Sequence, residues 1–350
     1  MRYLICPDSF KGSLTAAEAA EAMWQGVAEA DPEAEVIVMP MADGGEGTAG
    51  ILASALGGCR IRCEVCSADR RKIEASYYMV NGTTAVMDAA SAVGLSMLPP
   101  ERRDIMTATS AGVGELIMEA RRHGATEILL GVGGTSTCDG GRGMYGVLSE
   151  AGFKDCAVTV LCDVDNPLYG PEGAAYVFAP QKGASAAQVR ILDDRLREWN
   201  RRMISLGGLD VSGMAGAGAA GGIAGMLASL FGARLAVGSD YIARAIGLPQ
   251  AMGRVDAVLT GEGRIDAQTL HGKVLSRVMD LANRFGVPVQ AYAGCVEPHP
   301  ELDGLFSSLN VITPAGMTLF KAMERDTAFA NLRHCSYLCN SKRIGNGHDN

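Results

Sequence analysis

Apolar runs of strand length alternate with amphipathic stretches along most of the chain. Residues 2–6 form the first such run, and Thr15-x-x-Glu18 is a capping box that opens an alanine-rich helix to about residue 30. EVIVMP (35–40) predicts the next strand, MADGGEGT a loop, and a helix follows to about residue 56. From 59 to 98 the pattern turns to β. CRIRCEVC alternates, with Cys59, Ile61, Cys63 and Val65 on one face and Cys66 on the other. YYMVNGTTAVMDA predicts a hairpin over Asn81-Gly82.

A second α/β stretch follows. Residues 111–123 read as a helix closed by Gly124, and TEILLGVGG as a buried strand entering a glycine-rich loop. After a helix near 143–151, short strands are predicted at 157–163 and 175–178, then a charged amphipathic helix over 186–203. VDAVLTGEGRIDAQTLHGKVL repeats the order of strand, polar glycine-rich loop and helix, and VPVQAYAG is one more strand. Strands joined through helices predict parallel sheets and an α/β fold, with no repeat at a solenoid period.

Composition narrows the classes of function. A chain of 350 residues, 48% hydrophobic and 20% charged, is long enough for one large core or two. Its 45 glycines are roughly twice the usual share of about 7% and cluster in loops, where backbone can come close to a ligand. A net charge of −8, with no basic stripe and few aromatics, argues against a nucleic-acid partner. No apolar stretch approaches the ~20 residues of a membrane helix, so no membrane partner is expected. The chain opens on a core strand rather than a secretion signal, which predicts a cytoplasmic protein whose ten cysteines are reduced. Cys59, Cys63 and Cys66 have a spacing known from iron–sulfur sites, but strand alternation keeps the three thiols from converging.

Four loops begin where predicted strands end: PDSFKGS (7–13), ADGGEGT (42–48), GVGGTSTCDGG (131–141) and TGEGRIDAQTLHGK (260–273). In open parallel sheets ligands sit at the carboxyl ends of strands, where loops converge and helix N-termini offer free N–H groups. The glycines, hydroxyls, cations and carboxylates of these loops suit phosphate and metal chemistry. The common ATPase cradle is missing: Val274 stands after Gly272-Lys273 where that motif needs Ser or Thr, and its upstream glycine is absent. Gly216-x-Gly218-x-x-Gly221 matches a dinucleotide fingerprint but follows VSGMA rather than a convincing strand. It reads either as close packing of small residues or as a helix N-terminus facing phosphate.

DSFKGSL, ADGGEGT, GGTSTCDGG, CDVDNPLYG, PQKGA, GAGAAGG and TGEGRIDAQTLHGK, in this order, resemble the type I glycerate kinase family from residue 3 to about residue 295. The resemblance implies two unlike α/β domains with the active site between them. One is a Rossmann- or flavodoxin-like domain with a parallel sheet formed by both chain ends (1–63 plus 252–350); the other is an inserted α/β domain with a mixed sheet (64–251). It also implies phosphorylation of D-glycerate with ATP and Mg²⁺, the 2-hydroxyl being favoured over the 3-hydroxyl.

Phosphoryl transfer requires positioning, charge neutralisation and a group to accept the substrate hydroxyl proton. Lys11, Arg264 and Lys273 are candidates for neutralising the transferred phosphate or the glycerate carboxylate, and Asp43 and Glu262 for holding Mg²⁺. Asp266, ranked ahead of Asp8, is the candidate base. Ser9, Ser13, Gly44, Gly45, Gly133, Gly134, Thr135, Asp139, Gly218, Gly261 and His271 are candidates for contact with substrate or nucleotide, together with Lys273.

Plainer readings stand beside these. Asp8 and Ser13 would also cap a loop and helix, Asp139 would form an Asx turn, and His271 would serve as a structural imidazole. Lys182 reads equally as a surface lysine, and Asp163 and Asp165 as a second acidic site or as turn formers. The chain departs from the family in a shorter bridge, EAGFKDCAVTV, in Cys138 where Asn is usual, in the added cation Arg142, and in a polar tail, SKRIGNGHDN, expected to be disordered at its end. Two other functions stay open: a catalytically weak ligand-binding relative, and a nicotinamide-dependent oxidoreductase resting on GAGAAG. A homo-oligomer is compatible with the sequence.

Overall fold

The computed structural model describes residues 1–266, 269 and 274–346. The chain divides into two compact units, one built from Met1–Ala42 together with the chain from Ile242 onward, the other from Asp43–Tyr241. The strands of the described residues are β1 (Arg2–Ile5), β2 (Glu35–Val38), β3 (Cys59–Cys66), β4 (Lys72–Val80), β5 (Thr84–Asp88), β6 (Glu127–Gly131), β7 (Ala157–Leu161), β8 (Arg234–Ala236), β9 (Ala257–Ile265), β10 (Val289–Val296) and β11 (Ser308–Val311).

In the first unit both chain ends build one parallel sheet of order β11-β10-β9-β1-β2. Parallel strands with covered faces read as continuous apolar runs, and Tyr3, Leu4 and Ile5 beside Ala257, Val258 and Leu259 are fully buried. The sheet passes from β1 to β2 in one direction and from β1 to β9 in the other, so its topological switch point lies between β1 and β9.

The predicted capping box is present. Thr15 Oγ1 accepts the Glu18 N–H at 3.2 Å, and Glu18 Oε2 accepts the Thr15 N–H at 2.8 Å, opening the helix Ala16–Ala30. That helix packs against Arg325–Asn346, where a Cβ on Gly26 would lie 2.4 Å from the Arg333 carbonyl oxygen. This long C-terminal helix continues through SKRIGN to Asn346. Ala328, Leu332, Ser336 and Asn340 are buried at a spacing of four, a stripe that holds the helix to the unit. Residues 347–350 lie outside the described residues.

One correction concerns TGEGRI, expected as the start of a loop: Thr260–Ile265 continues β9 beside β10. The glycines serve close pairing there, since a Cβ on Gly261 would lie 2.2 Å from the Tyr292 carbonyl oxygen.

In the second unit six strands lie in sequence order from β3 to β8. Pairing is antiparallel from β3 to β5 and parallel from β5 to β8, the mixed sheet expected of the inserted domain. The β4–β5 hairpin turns at Asn81 (φ 53°) and Gly82 (φ 73°), as the Asn-Gly pair predicted. Residues 175–178, expected as a strand, instead belong to the short helix Ala174–Phe178. Ala174 and Ala175 are buried whereas the adjacent Tyr176 and Val177 are exposed, a one-sided pattern rather than strand alternation. No helix among the described residues is long and apolar enough to cross a membrane.

Candidate active site

At the switch point of the first unit, the loop after β1 lies against the carboxyl end of β9. The Asp8 N–H donates to the Gly261 carbonyl at 2.9 Å, and Thr260 Oγ1 donates to the Cys6 carbonyl at 2.9 Å. Gly263 lets the Phe10–Lys11 backbone pass close over the strand, for a Cβ there would lie 3.2 Å from the Lys11 nitrogen. Within the loop, Asp8 Oδ1 accepts the Ser9 N–H at 2.6 Å, and the Phe10 and Leu14 backbones exchange two hydrogen bonds across Gly12 (φ 77°). Lys11 is exposed, and the Ser13 Oγ is buried with no hydrogen-bond partner among the described residues.

Beyond β9 a carboxylate is held in place. Arg264 pairs with Glu297 and lies 3.3 Å from Asp266 Oδ2 through its Nε. Asp266 Oδ1 accepts the Thr269 N–H at 3.3 Å, which leaves the carboxylate steadied from two sides. Glu262, half-buried, precedes them on β9. Thus Asp8, Lys11, Gly261, Glu262, Arg264 and Asp266 gather at one end of one sheet, whereas the predicted residues His271 and Lys273 lie outside the described residues.

In the second unit the loop Asp43–Gly47 lies over the ends of β5, β6 and β7. A Cβ on Gly44 would lie 2.4 Å from the Leu161 carbonyl oxygen, and one on Gly133 2.5 Å from the Gly45 Cα. The Gly133 N–H donates to the Gly44 carbonyl at 3.1 Å. Side chains would separate these loops, so the glycines are what let them stack.

Beneath them lies a carboxylate that sequence reasoning missed. Asp88, at the end of β5, accepts the Gly47 N–H at 2.9 Å and the Ala49 N–H at 3.0 Å, satisfying the N-terminus of the helix Thr48–Leu56. Burial pushes its pKa up to about 7 against the lowering effect of those two donors. MDAAS carries no signal for this role, because the groups it satisfies are some forty residues away, as the separations of 41 and 39 record. Asp163 is likewise pushed up to about 6 by burial, while it accepts the Ser239 N–H at 3.1 Å.

Asp139 is saturated. Its oxygens accept from the Gly141 N–H (3.0 Å), the Gly143 N–H (3.1 Å), the Ser110 N–H (2.9 Å) and the Ser110 hydroxyl (2.8 Å). It therefore ties the loop to the start of the helix Arg142–Glu150. Lys182 is no surface lysine: 4% exposed, its Nζ donates to the Thr137 carbonyl at 2.8 Å and reaches Thr135 Oγ1 at 3.4 Å. Cys138 packs into the apolar core of the unit, where burial pushes its thiol up to about 11.

The GxGxxG segment packs rather than follows a strand. A Cβ on Gly218 would lie 2.4 Å from the Pro167 carbonyl oxygen, and one on Gly221 2.2 Å from that of Thr137. Ala220, Gly221 and Gly222 all have positive φ (54°, 66° and 97°), a bend that the sequence pattern did not announce.

The two units share one plan, an α/β sheet whose carboxyl ends carry glycine-rich loops with hydroxyls and carboxylates, as in ligand-binding enzymes of this class. The chain belongs to the glycerate kinase family, whose model matches residues 3–154 and 148–337. It is 38% identical to the glycerate 2-kinase of Escherichia coli over 89% of this chain and 91% of that one. It is 36% identical to the glycerate kinase of Bacillus subtilis over 93% of each. A crystal structure described as glycerate kinase 2 from Salmonella typhimurium LT2 superposes with a TM-score of 0.82 at 34% identity, covering 99% of both chains.

Proposed function

We propose that this chain phosphorylates D-glycerate with ATP and Mg²⁺, and that the 2-hydroxyl is the favoured acceptor. The observation that carries the reading is the Asp8–Gly261 contact at the switch point of a parallel sheet, which brings Lys11 and Asp266 to one sheet end in a member of the glycerate kinase family. The relatives named glycerate 2-kinase and glycerate kinase support glycerate as the substrate, and the first name supports the 2-hydroxyl as the acceptor.

The residues fit the groups this chemistry needs. A magnesium ion in a kinase is held by one or two carboxylates together with phosphates and water. Asp43 spends one oxygen on the Gly45 N–H at 2.8 Å and has no partner for the other among the described residues. Asp43 in the second unit and Glu262 in the first are each a proposed carboxylate for the ion, whose charge would offset that of the phosphates. Gly44 and Gly133 serve loop stacking, since a Cβ on either would meet the Leu161 carbonyl or the Gly45 Cα, and Gly45 and Gly134 beside them are the proposed backbone contacts for phosphate.

Asp266 takes the proton of the acceptor hydroxyl, held toward it by Arg264 and Thr269, with Asp8 as the second candidate. Lys11, Arg264 and Lys273 balance charge on the transferred group or the acid. Ser9, Ser13 and Gly261 in the first unit and Thr135 and Gly218 in the second are the proposed contacts for substrate or nucleotide, as is His271, which lies outside the described residues, and Asp139 acts through the loop it braces. The test is ADP release from Mg²⁺-ATP by the purified protein with and without D-glycerate: release that needs the acid supports the reading, and release indifferent to it overturns the reading.

A further inference from the structure

Glu297 stands one residue past β10 and is drawn alongside β9, because its N–H donates to the Ile265 carbonyl at 2.9 Å. The parallel register places Cys295 beside Arg264 and Val296 beside Ile265. Residues two apart share a face of a strand, so Arg264 and Asp266 lie on the same face as Cys295 and Glu297. The backbone alone therefore brings Glu297 to Arg264.

The side chains complete a line of alternating charges. Glu297 pairs with the Arg264 Nη2, and the Arg264 Nε lies 3.3 Å from Asp266 Oδ2. The members of this line are held very differently. The Asp266 side chain is 21% exposed and is tied to the fully buried Thr269, whose Oγ1 accepts the Asp266 N–H at 3.1 Å and whose N–H donates to Asp266 Oδ1 at 3.3 Å. The Arg264 side chain is 60% exposed, and among the described residues its carboxylate partners are Glu297 and Asp266. A long side chain in water samples many rotamers unless its far end is held. Glu297 holds that end.

We infer that Glu297 is a positioning residue for the base: it fixes the Arg264 guanidinium so that Nε steadies the Asp266 carboxylate toward the acceptor hydroxyl. Its action passes through Arg264. A single exposed ion pair contributes little to stability, but a fixed guanidinium beside a base acts on the geometry of proton transfer, where small displacements are costly. All four residues of the network belong to the first unit, so the inference needs nothing from the second.

The inference rests on the kinase reading for the role of Asp266, and the experiment separates the two. Glycerate-dependent ADP release and melting temperature are measured for the unmodified protein, Glu297→Ala, Glu297→Gln, Asp266→Asn and the double variant Glu297→Ala with Asp266→Asn. The expected result for Glu297→Ala is kcat lowered about 3- to 10-fold, with KM for ATP within about 2-fold and the melting temperature within about 2 °C. Glu297→Gln keeps an oxygen that accepts from the guanidinium, and it should recover part of the loss. The double variant should match Asp266→Asn, since a residue that acts through the base has no effect once the base is gone. An unchanged kcat in Glu297→Ala overturns the inference and leaves the kinase reading standing, as does a loss that persists in full beside Asp266→Asn. No glycerate-dependent release from the unmodified protein overturns the kinase reading and the inference with it.

Discussion

The Asp88 carboxylate accepts the Gly47 N–H at 2.9 Å across 41 residues of chain, and so anchors the glycine loop to the end of a central strand. Burial holds its pKa at about 7, above the unfolded carboxylate value of about 4. A group raised on folding supports the fold fully below its unfolded pKa, and that support is lost as pH rises through the folded value. The stability of the unmodified protein relative to Asp88→Asn should therefore fall between about pH 4 and about pH 7. Denaturant unfolding of both proteins across that range is the check, and a constant difference would contradict it.

Ala220 has φ 54° in a run of left-handed residues. An L-residue with a Cβ is strained there, so Ala220→Gly should stabilise the protein by up to about 1 kcal/mol, after the greater freedom of glycine in the unfolded chain is subtracted. The melting temperature reads this directly. Gly221→Ala should do the reverse, since its Cβ would meet the Thr137 carbonyl oxygen at 2.2 Å.

Asp139 and Asp266 should separate under substitution. Asp139→Ala strips four hydrogen bonds from the loop and should lower stability by about 2–4 kcal/mol. Asp266→Asn should leave the melting temperature within a few degrees and lower kcat by about 10²-fold or more, the usual contribution of a positioned base. Full activity after Asp266→Asn would remove it from that role.

Local chemistry was legible where its partners are near in sequence. The Thr15–Glu18 box and the Asn81-Gly82 turn each close within a few residues, and both are as the pattern predicts. The parallel sheet from the two chain ends followed from the order of strands and helices and from the family resemblance. What stayed hidden depends on distant partners. Asp88 and Lys182 take their roles from loops 39 to 47 residues away, and nothing beside them in sequence announces burial. TGEGRI carries turn residues, yet pairing with β10 keeps it extended, and the apolar AAYVF was too short for periodicity to separate strand from helix. The tail helix was missed because its buried stripe includes Ser336 and Asn340, polar residues that read as surface.

The most direct measurement is phosphorus NMR of the purified protein incubated with Mg²⁺-ATP and D-glycerate. The expected result is a new phosphomonoester resonance matching 2-phosphoglycerate as the ATP signals give way to those of ADP. ADP with inorganic phosphate alone, or ATP left intact, would contradict phosphoryl transfer to glycerate.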